Sequence, residues 1–193
     1  DGDGLVETSA YYFYEGVSQQ EAEDFYNRMK EEEARPETPP SYGLNSMLVK
    51  ENGALRERVW KIGGLYDNAI RHIVSWLQKA LLVAENKHQE EVISLLISYY
   101  QTGDLEIFNR YCIEWVGEND ATIDFINGFI EVYGDPLGLK GSWEGLVEYI
   151  DHEATHRTRT ISGNAQWFED HSPVDPRFRK PVVKGVSANV ICA

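Results

Sequence analysis

Apolar residues repeat at spacings of three and four between Leu65 and Glu85, where Tyr66, Ile70, Ile73, Leu77, Ala80, Leu81 and Ala84 fall on one helical face. A second helix over about 88–101 is apolar on more than one side (Val92, Ile93, Leu95, Leu96, Ile97, Tyr99, Tyr100), the pattern of a deeply buried element. Gly103 ends it. Asp104 caps a third helix to about residue 117, with the stripe Leu105, Phe108, Cys112, Trp115 and Val116. Short connections between the three predict an antiparallel helical layer.

Strand signals flank this layer. Residues 5–17 are aromatic-rich and end at a glycine, so they read as extended. Ser18 and Glu21 have capping-box spacing and predict a helix to about Ala34, with Ala22, Phe25, Tyr26 and Met29 inward. A run rich in proline, Arg35 to Pro40, breaks it. Residues 42–50 look extended, Glu51-Asn52-Gly53 turns the chain, and 55–62 alternates as a strand. Residues 121–133 fit either a buried strand or a short helix, Gly134 to Gly138 is a turn, and a helix is expected from about Trp143 to Phe168. The fold class is therefore mainly α with a minority of β (α+β), strands lying toward both ends.

Composition supports a sizeable core. Of 193 residues, 42% are apolar and 12% aromatic, which excludes wholesale disorder. The charge is −14, from 18 basic and 32 acidic residues. Such a surface cannot displace counterions from phosphates, so nucleic acid is not an expected partner, and anionic membranes are disfavoured likewise. No apolar run approaches the roughly 20 residues that span a bilayer. The only cysteines, Cys112 and Cys192, imply no disulfide framework and favour a reducing, cytoplasmic setting. The first residue is Asp1 rather than Met, so a removed secretory signal stays open.

Two patterns carry chemistry. His152-Glu153-Ala154-Thr155-His156 matches H-E-x-x-H, which puts two imidazoles on one helical face around a metal, with the glutamate activating bound water. On a helix through Ile150, Ala154, Ile161, Ala165 and Phe168, however, both histidines point to the polar side. Taken alone, the pattern leaves a zinc site and a solvated helix equally open. Glu131 and Tyr133, two apart in an apolar stretch, would share one face of a strand; an edge pair with water-exposed glutamate is the plainer reading.

The run Asn127-Gly128-Phe129-Ile130-Glu131-Val132-Tyr133-Gly134-Asp135-Pro136-Leu137-Gly138, followed by Trp143-Glu144-Gly145-Leu146-Val147, resembles the dipeptidyl peptidase III family of zinc exopeptidases. Tyr42 to Ser46, Val83 to Asn86, Asn164 to Pro173 and Lys184 to Ala188 extend the resemblance along the chain, with greatest similarity to Bacteroides-type members. The resemblance implies a two-lobed enzyme that releases N-terminal dipeptides from short peptides with a free N-terminus. It implies zinc held by H-E-x-x-G-H and a later glutamate, neither present in these 193 residues.

On this reading the chain is a central piece of the enzyme, inactive alone, whose partner is the missing zinc lobe. Residues 1–145 would belong to the non-zinc lobe, 146–180 would cross toward the zinc lobe, and 181–193 would form a returning strand. His152 and His156 are then disfavoured as metal ligands. Glu131 is expected to hold the substrate ammonium, Tyr133 to assist the scissile carbonyl, and Glu144 to line the same cleft. Gly134 departs from the basic residue that many relatives carry before Asp-Pro. Two alternatives remain: a non-catalytic helical module that binds peptides or proteins, and a small stand-alone zinc peptidase built on His152, Glu153 and His156.

Overall fold

A computed structural model of the protein describes residues 4–9, 12–32, 39–184 and 189–193. The chain divides into two compact units, one of Asp1–Ala121 with Asn127–Gly145, the other of Thr122–Ile126 with Leu146–Ala193.

The first unit opens with a short helix, α1 (Leu5–Thr8), and a two-residue strand, β1 (Tyr14–Glu15). Among the described residues of the strand expected over 5–17, only Tyr14–Glu15 form one, and Leu5–Thr8 are helical because the Gly4 carbonyl takes the N–H groups of Glu7 and Thr8 and closes a helical turn. The capping box forms: Ser18 and Glu21 satisfy each other's backbone at the start of α2 (Gln19–Glu31). Ala22 and Tyr26 from α2 pack with Val17 and with Leu48 of β2 (Ser46–Glu51), and Phe25 and Met29 lie against that cluster. Asn52-Gly53 turns β2 into β3 (Ala54–Val59), giving a three-stranded sheet in the order β1-β2-β3. The breaker residues Arg35 to Thr38 lie outside the described residues.

Three helices follow: α3 (Asp67–Leu81), α4 (Lys87–Thr102) and α5 (Leu105–Gly117), each packing on the next. Asn86 and Asp104 cap the second and third by accepting from Gln89 N–H and Glu106 N–H. Helix α4 is buried on several sides, as its composition requires, whereas the α3 face is narrower than expected: Ile70 and Val74 are buried while Tyr66 and Ala80 are exposed. Gly103 ends α4 in the left-handed region at φ 73°. A Cβ there would lie 2.5 Å from Val59 Cγ1 and 3.0 Å from Lys61 Cδ. Gly103→Ala is therefore expected to cost about 1–3 kcal/mol, from the backbone and the clash together; a thermal melt that leaves Tm unmoved would contradict this.

Residues 121–133 form a strand, β4 (Ile123–Glu131), which stops before Tyr133. The helix expected over 143–168 is two things instead: strand β5 (Ser142–Ile150), then α6 (His152–Gly163) and α7 (Ala165–Asp170). The alternation of Trp143, Val147 and Tyr149 with Glu144, Leu146, Glu148 and Ile150 has the period of a strand. Asp151 marks the change, accepting from Ala154 N–H to cap α6. Ile161 and Phe168 are exposed, and the buried residue of α6 is Thr155, whose hydroxyl accepts from Val190 N–H at 2.9 Å. Strand β6 (Ile191–Cys192) pairs antiparallel with Tyr149–Ile150, completing a second sheet in the order β4-β5-β6. In the second unit Arg179 donates to the carbonyls of Asp170, Ser172 and Val174 and so closes the loop after α7. No helix among the described residues is long and apolar enough to cross a membrane.

Candidate functional site

The connection between β4 and β5 carries the segment singled out in the sequence. Glu131 is the last residue of β4 and half-buried; Glu144 is the third residue of β5 and also half-buried. Ile150 N–H donates to the Thr122 carbonyl at the far end of the two strands, so they run antiparallel and bring Glu131 and Glu144 to the same end. Tyr133 lies between them in the turn and is 84% exposed. It does not share a strand face with Glu131, because Asp135 N–H donates to the Val132 carbonyl at 3.0 Å and the chain turns there.

A second turn follows at once, with Gly138 N–H on the Asp135 carbonyl at 3.0 Å. The Asp135 side chain ties down the second turn and the residues after it. It accepts from Leu139 N–H at 2.8 Å, Lys140 N–H at 2.9 Å, Leu137 N–H at 3.3 Å and the Tyr14 hydroxyl at 2.9 Å. Gly141 then passes so near Phe129 and Leu44 that a Cβ would lie 2.8 Å from the Phe129 backbone. A side chain there would push the connection away from Phe129 and Leu44.

Lys140 is fully buried beneath this connection. Its ammonium donates to the Tyr26 hydroxyl and to Ser46 Oγ at 3.1 Å, and stands 3.8 Å from Glu57 Oε1. Tyr26 and Ser46 each donate to that same carboxylate oxygen, at 2.8 and 2.5 Å. The ammonium also lies over the Tyr26 ring, 4.5 Å from its centroid. Burial pulls the Lys140 pKa down to about 8, against the opposing pull of Glu57 and Asp135. Burial, then the charge of Asp135, holds the Tyr14 phenol well above its ordinary range; burial and Glu57 do the same to Tyr26. Tyr14, Tyr26, Glu57, Asp135 and Lys140 were not legible as one group, since they come from four separate segments. The one local signal was an Asp-Pro turn, followed by a lysine in Gly138-Leu139-Lys140-Gly141.

Beside the connection the first unit has an aromatic cavity of about 540 Å³, walled by Phe13, Trp60, Tyr66, Ile70, Phe129 and Trp143. Phe129 and Trp143 are close in sequence to Glu131 and Glu144. The Trp143 indole N–H donates to the Tyr100 hydroxyl at 2.9 Å, which fixes this wall.

In the second unit His152 and His156 lie on α6 with both side chains exposed, and Glu153 pairs instead with Arg157 at 2.9 Å. Among the described residues no group of three or more His, Cys, Asp or Glu could hold a metal ion. The residues present do not fit zinc, and this pair supports no metal-dependent step.

The model of "Peptidase family M49" matches residues 45–185. The chain belongs to peptidase family M49. Dipeptidyl peptidase 3 of Rattus norvegicus and of Homo sapiens are each 27% identical to this M49 chain over 117 residues, 61% of the chain but only 16% of theirs. The same protein of Dictyostelium discoideum is also 27% identical, with 17% of its length covered. The chain thus spans about a sixth of the curated relatives it matches. In fold it is similar to dipeptidyl peptidase III from Caldithrix abyssi, with a TM-score of 0.62, 20% identity, and coverage of 88% of this chain and 31% of that one. The corresponding enzyme from Corallococcus sp. strain EGB gives 0.56 at 18% identity. These likenesses support the M49 fold, in which helices accompany two small sheets.

Proposed function

We propose that this chain is the substrate-gripping part of a zinc-dependent dipeptidyl peptidase that removes N-terminal dipeptides from short peptides. The zinc ligands would come from sequence outside these 193 residues, and the chain alone would be inactive. Residues 1–145 would lie in the non-zinc lobe, 146–180 would lead toward the zinc lobe, and 181–193 would return. The observation that carries the reading is the M49 match across 45–185, which includes the hairpin end bearing Glu131, Tyr133 and Glu144.

The roles proposed for these residues come from the resemblance, and their chemistry suits them. A half-buried carboxylate at Glu131 pairs with an N-terminal ammonium more strongly than water-exposed glutamate would, and selects peptides whose amine is free. With the ammonium on Glu131 and the scissile carbonyl at Tyr133, as the resemblance implies, the phenol can donate to the carbonyl oxygen as charge develops there. Glu144, on the neighbouring strand, adds negative charge toward the same amine.

In the full-length peptidase Glu131→Gln is expected to raise KM for a free-amine tetrapeptide by about 10- to 100-fold, the worth of one charge-assisted contact. Turnover should change little. N-acetylated peptide should be an equally poor substrate for both proteins. An unchanged KM would remove Glu131 from substrate binding.

A further inference from the structure

Tyr133 is presented by a double turn, and the parts that hold this turn come from far away in the sequence. The first turn closes through Val132, the residue between Glu131 and Tyr133, whose carbonyl accepts Asp135 N–H. The second closes by Gly138 N–H on the Asp135 carbonyl and is tied from within by the Asp135 carboxylate, which accepts from the amides of Leu137, Leu139 and Lys140. One donor to that carboxylate lies outside the connection: the Tyr14 hydroxyl, 121 residues earlier, in β1. Asp135 is itself buried at 5% exposure, so its carboxylate serves the turn and is sheltered from anything bound on the outside. Lys140 continues the link, since its backbone donates to Asp135 while its ammonium reaches Tyr26, Ser46 and the Glu57 carboxylate on β2 and β3. Tyr133 thus stands on a turn clamped at two points to the β1-β2-β3 sheet.

We propose that Asp135 and Tyr14 are positioning residues for the reaction: together they fix the double turn that aims the Tyr133 hydroxyl, without themselves meeting substrate. The proposal rests on the reading above, that Tyr133 serves the scissile carbonyl. Asp135 holds the local geometry, and Tyr14 holds Asp135 in register with the sheet. The phenol is the separable element, because Tyr14→Phe keeps the ring that packs against the Val17, Ala22, Tyr26 and Leu48 cluster and deletes only the donor.

The test is a double-mutant cycle in the full-length peptidase, with Tyr14→Phe, Tyr133→Phe and the pair, assayed on a free-amine tetrapeptide and followed by amide hydrogen exchange. Tyr133→Phe should lower kcat by about 10²-fold, the usual loss of one donor to a developing oxyanion. Tyr14→Phe should lower kcat about fivefold with KM within twofold, and should speed exchange at Leu137, Leu139 and Lys140 while α4 stays protected. On the Tyr133→Phe background, Tyr14→Phe should have no further effect on kcat, since no hydroxyl remains to aim. A merely structural role would instead multiply the two losses in full, and that result overturns the proposal. Unchanged exchange across 137–140 also overturns it. Full activity in Tyr133→Phe alone would sink the prior reading of Tyr133, and the positioning role with it, whatever the exchange data show about the turn.

Discussion

Asp135→Ala should destabilise the protein by about 3–5 kcal/mol, more than any other single change at the β4–β5 connection. The substitution removes an acceptor shared by the Tyr14 hydroxyl and the amides of Leu137, Leu139 and Lys140. Each donor left buried without a partner costs about 1–3 kcal/mol, and at least two of these cannot reach water without the turn opening. Lys140 loses a neighbouring negative charge as well, so its ammonium becomes harder still to keep buried. Urea unfolding followed by tryptophan fluorescence would register the loss as a lower midpoint with an unchanged slope. Asp135→Asn, which keeps one carbonyl oxygen, should fall between the two. A loss below about 1 kcal/mol for the alanine variant would mean that the carboxylate is not what holds the turn.

Stability should also rise with pH between about 8 and 10, against the usual trend for an acidic protein. The folded Lys140 has a pKa of about 8, below the 10.5 of an exposed lysine, because its ammonium is desolvated. In this interval the unfolded chain binds a proton that the folded chain has released. Raising the pH therefore favours the fold, by up to about 1.4 kcal/mol per pH unit. Below pH 8 both states carry the proton and the cost of burying the cation is constant. Every charged or titratable neighbour bears on the outcome: Tyr14 on β1, Tyr26 on α2, Glu57 on β3 and Asp135 in the turn. The phenols of Tyr14, Tyr26 and Tyr100 are held above their ordinary range, so they stay protonated when the unfolded chain loses theirs. Their contribution is present below pH 10 and lost above it. The clean observable is the difference between the native protein and Lys140→Met, in urea titrations from pH 7 to 10. A difference that does not grow between pH 7.5 and 9.5 would show that Lys140 titrates as an exposed lysine.

Helices α2 to α5 were legible because their signals are local. Ser18 with Glu21, Gly103 and Asp104 mark ends by hydrogen bonds made within two to four residues. The region after Gly141 misled for the opposite reason. Its strand is set by pairing with β4 and with β6, about forty residues later, whereas its apolar content also suits a helix. Glu131 and Tyr133 stood out as polar groups in an apolar stretch, but their roles, and Glu144 altogether, came only by resemblance, since nothing in their spacing separates a substrate site from an exposed edge. The Asp135–Lys140 support was hidden because Tyr26 looked like ordinary helix core. Its ring does fill the core, while its hydroxyl also bridges Lys140 and Glu57.

The contacts of Lys140 span 114 residues to Tyr26 and 94 to Ser46. A ribosome adding about 5–20 residues per second makes Ser46 roughly 5–20 s before Lys140. Until then the donors this site can offer Glu57 are the hydroxyls of Tyr26 on α2 and Ser46 on β2, without the Lys140 ammonium. The β4–β5 connection can therefore be fastened to this sheet only late in synthesis, since the lysine that ties it there is among the last residues of the first unit to be made.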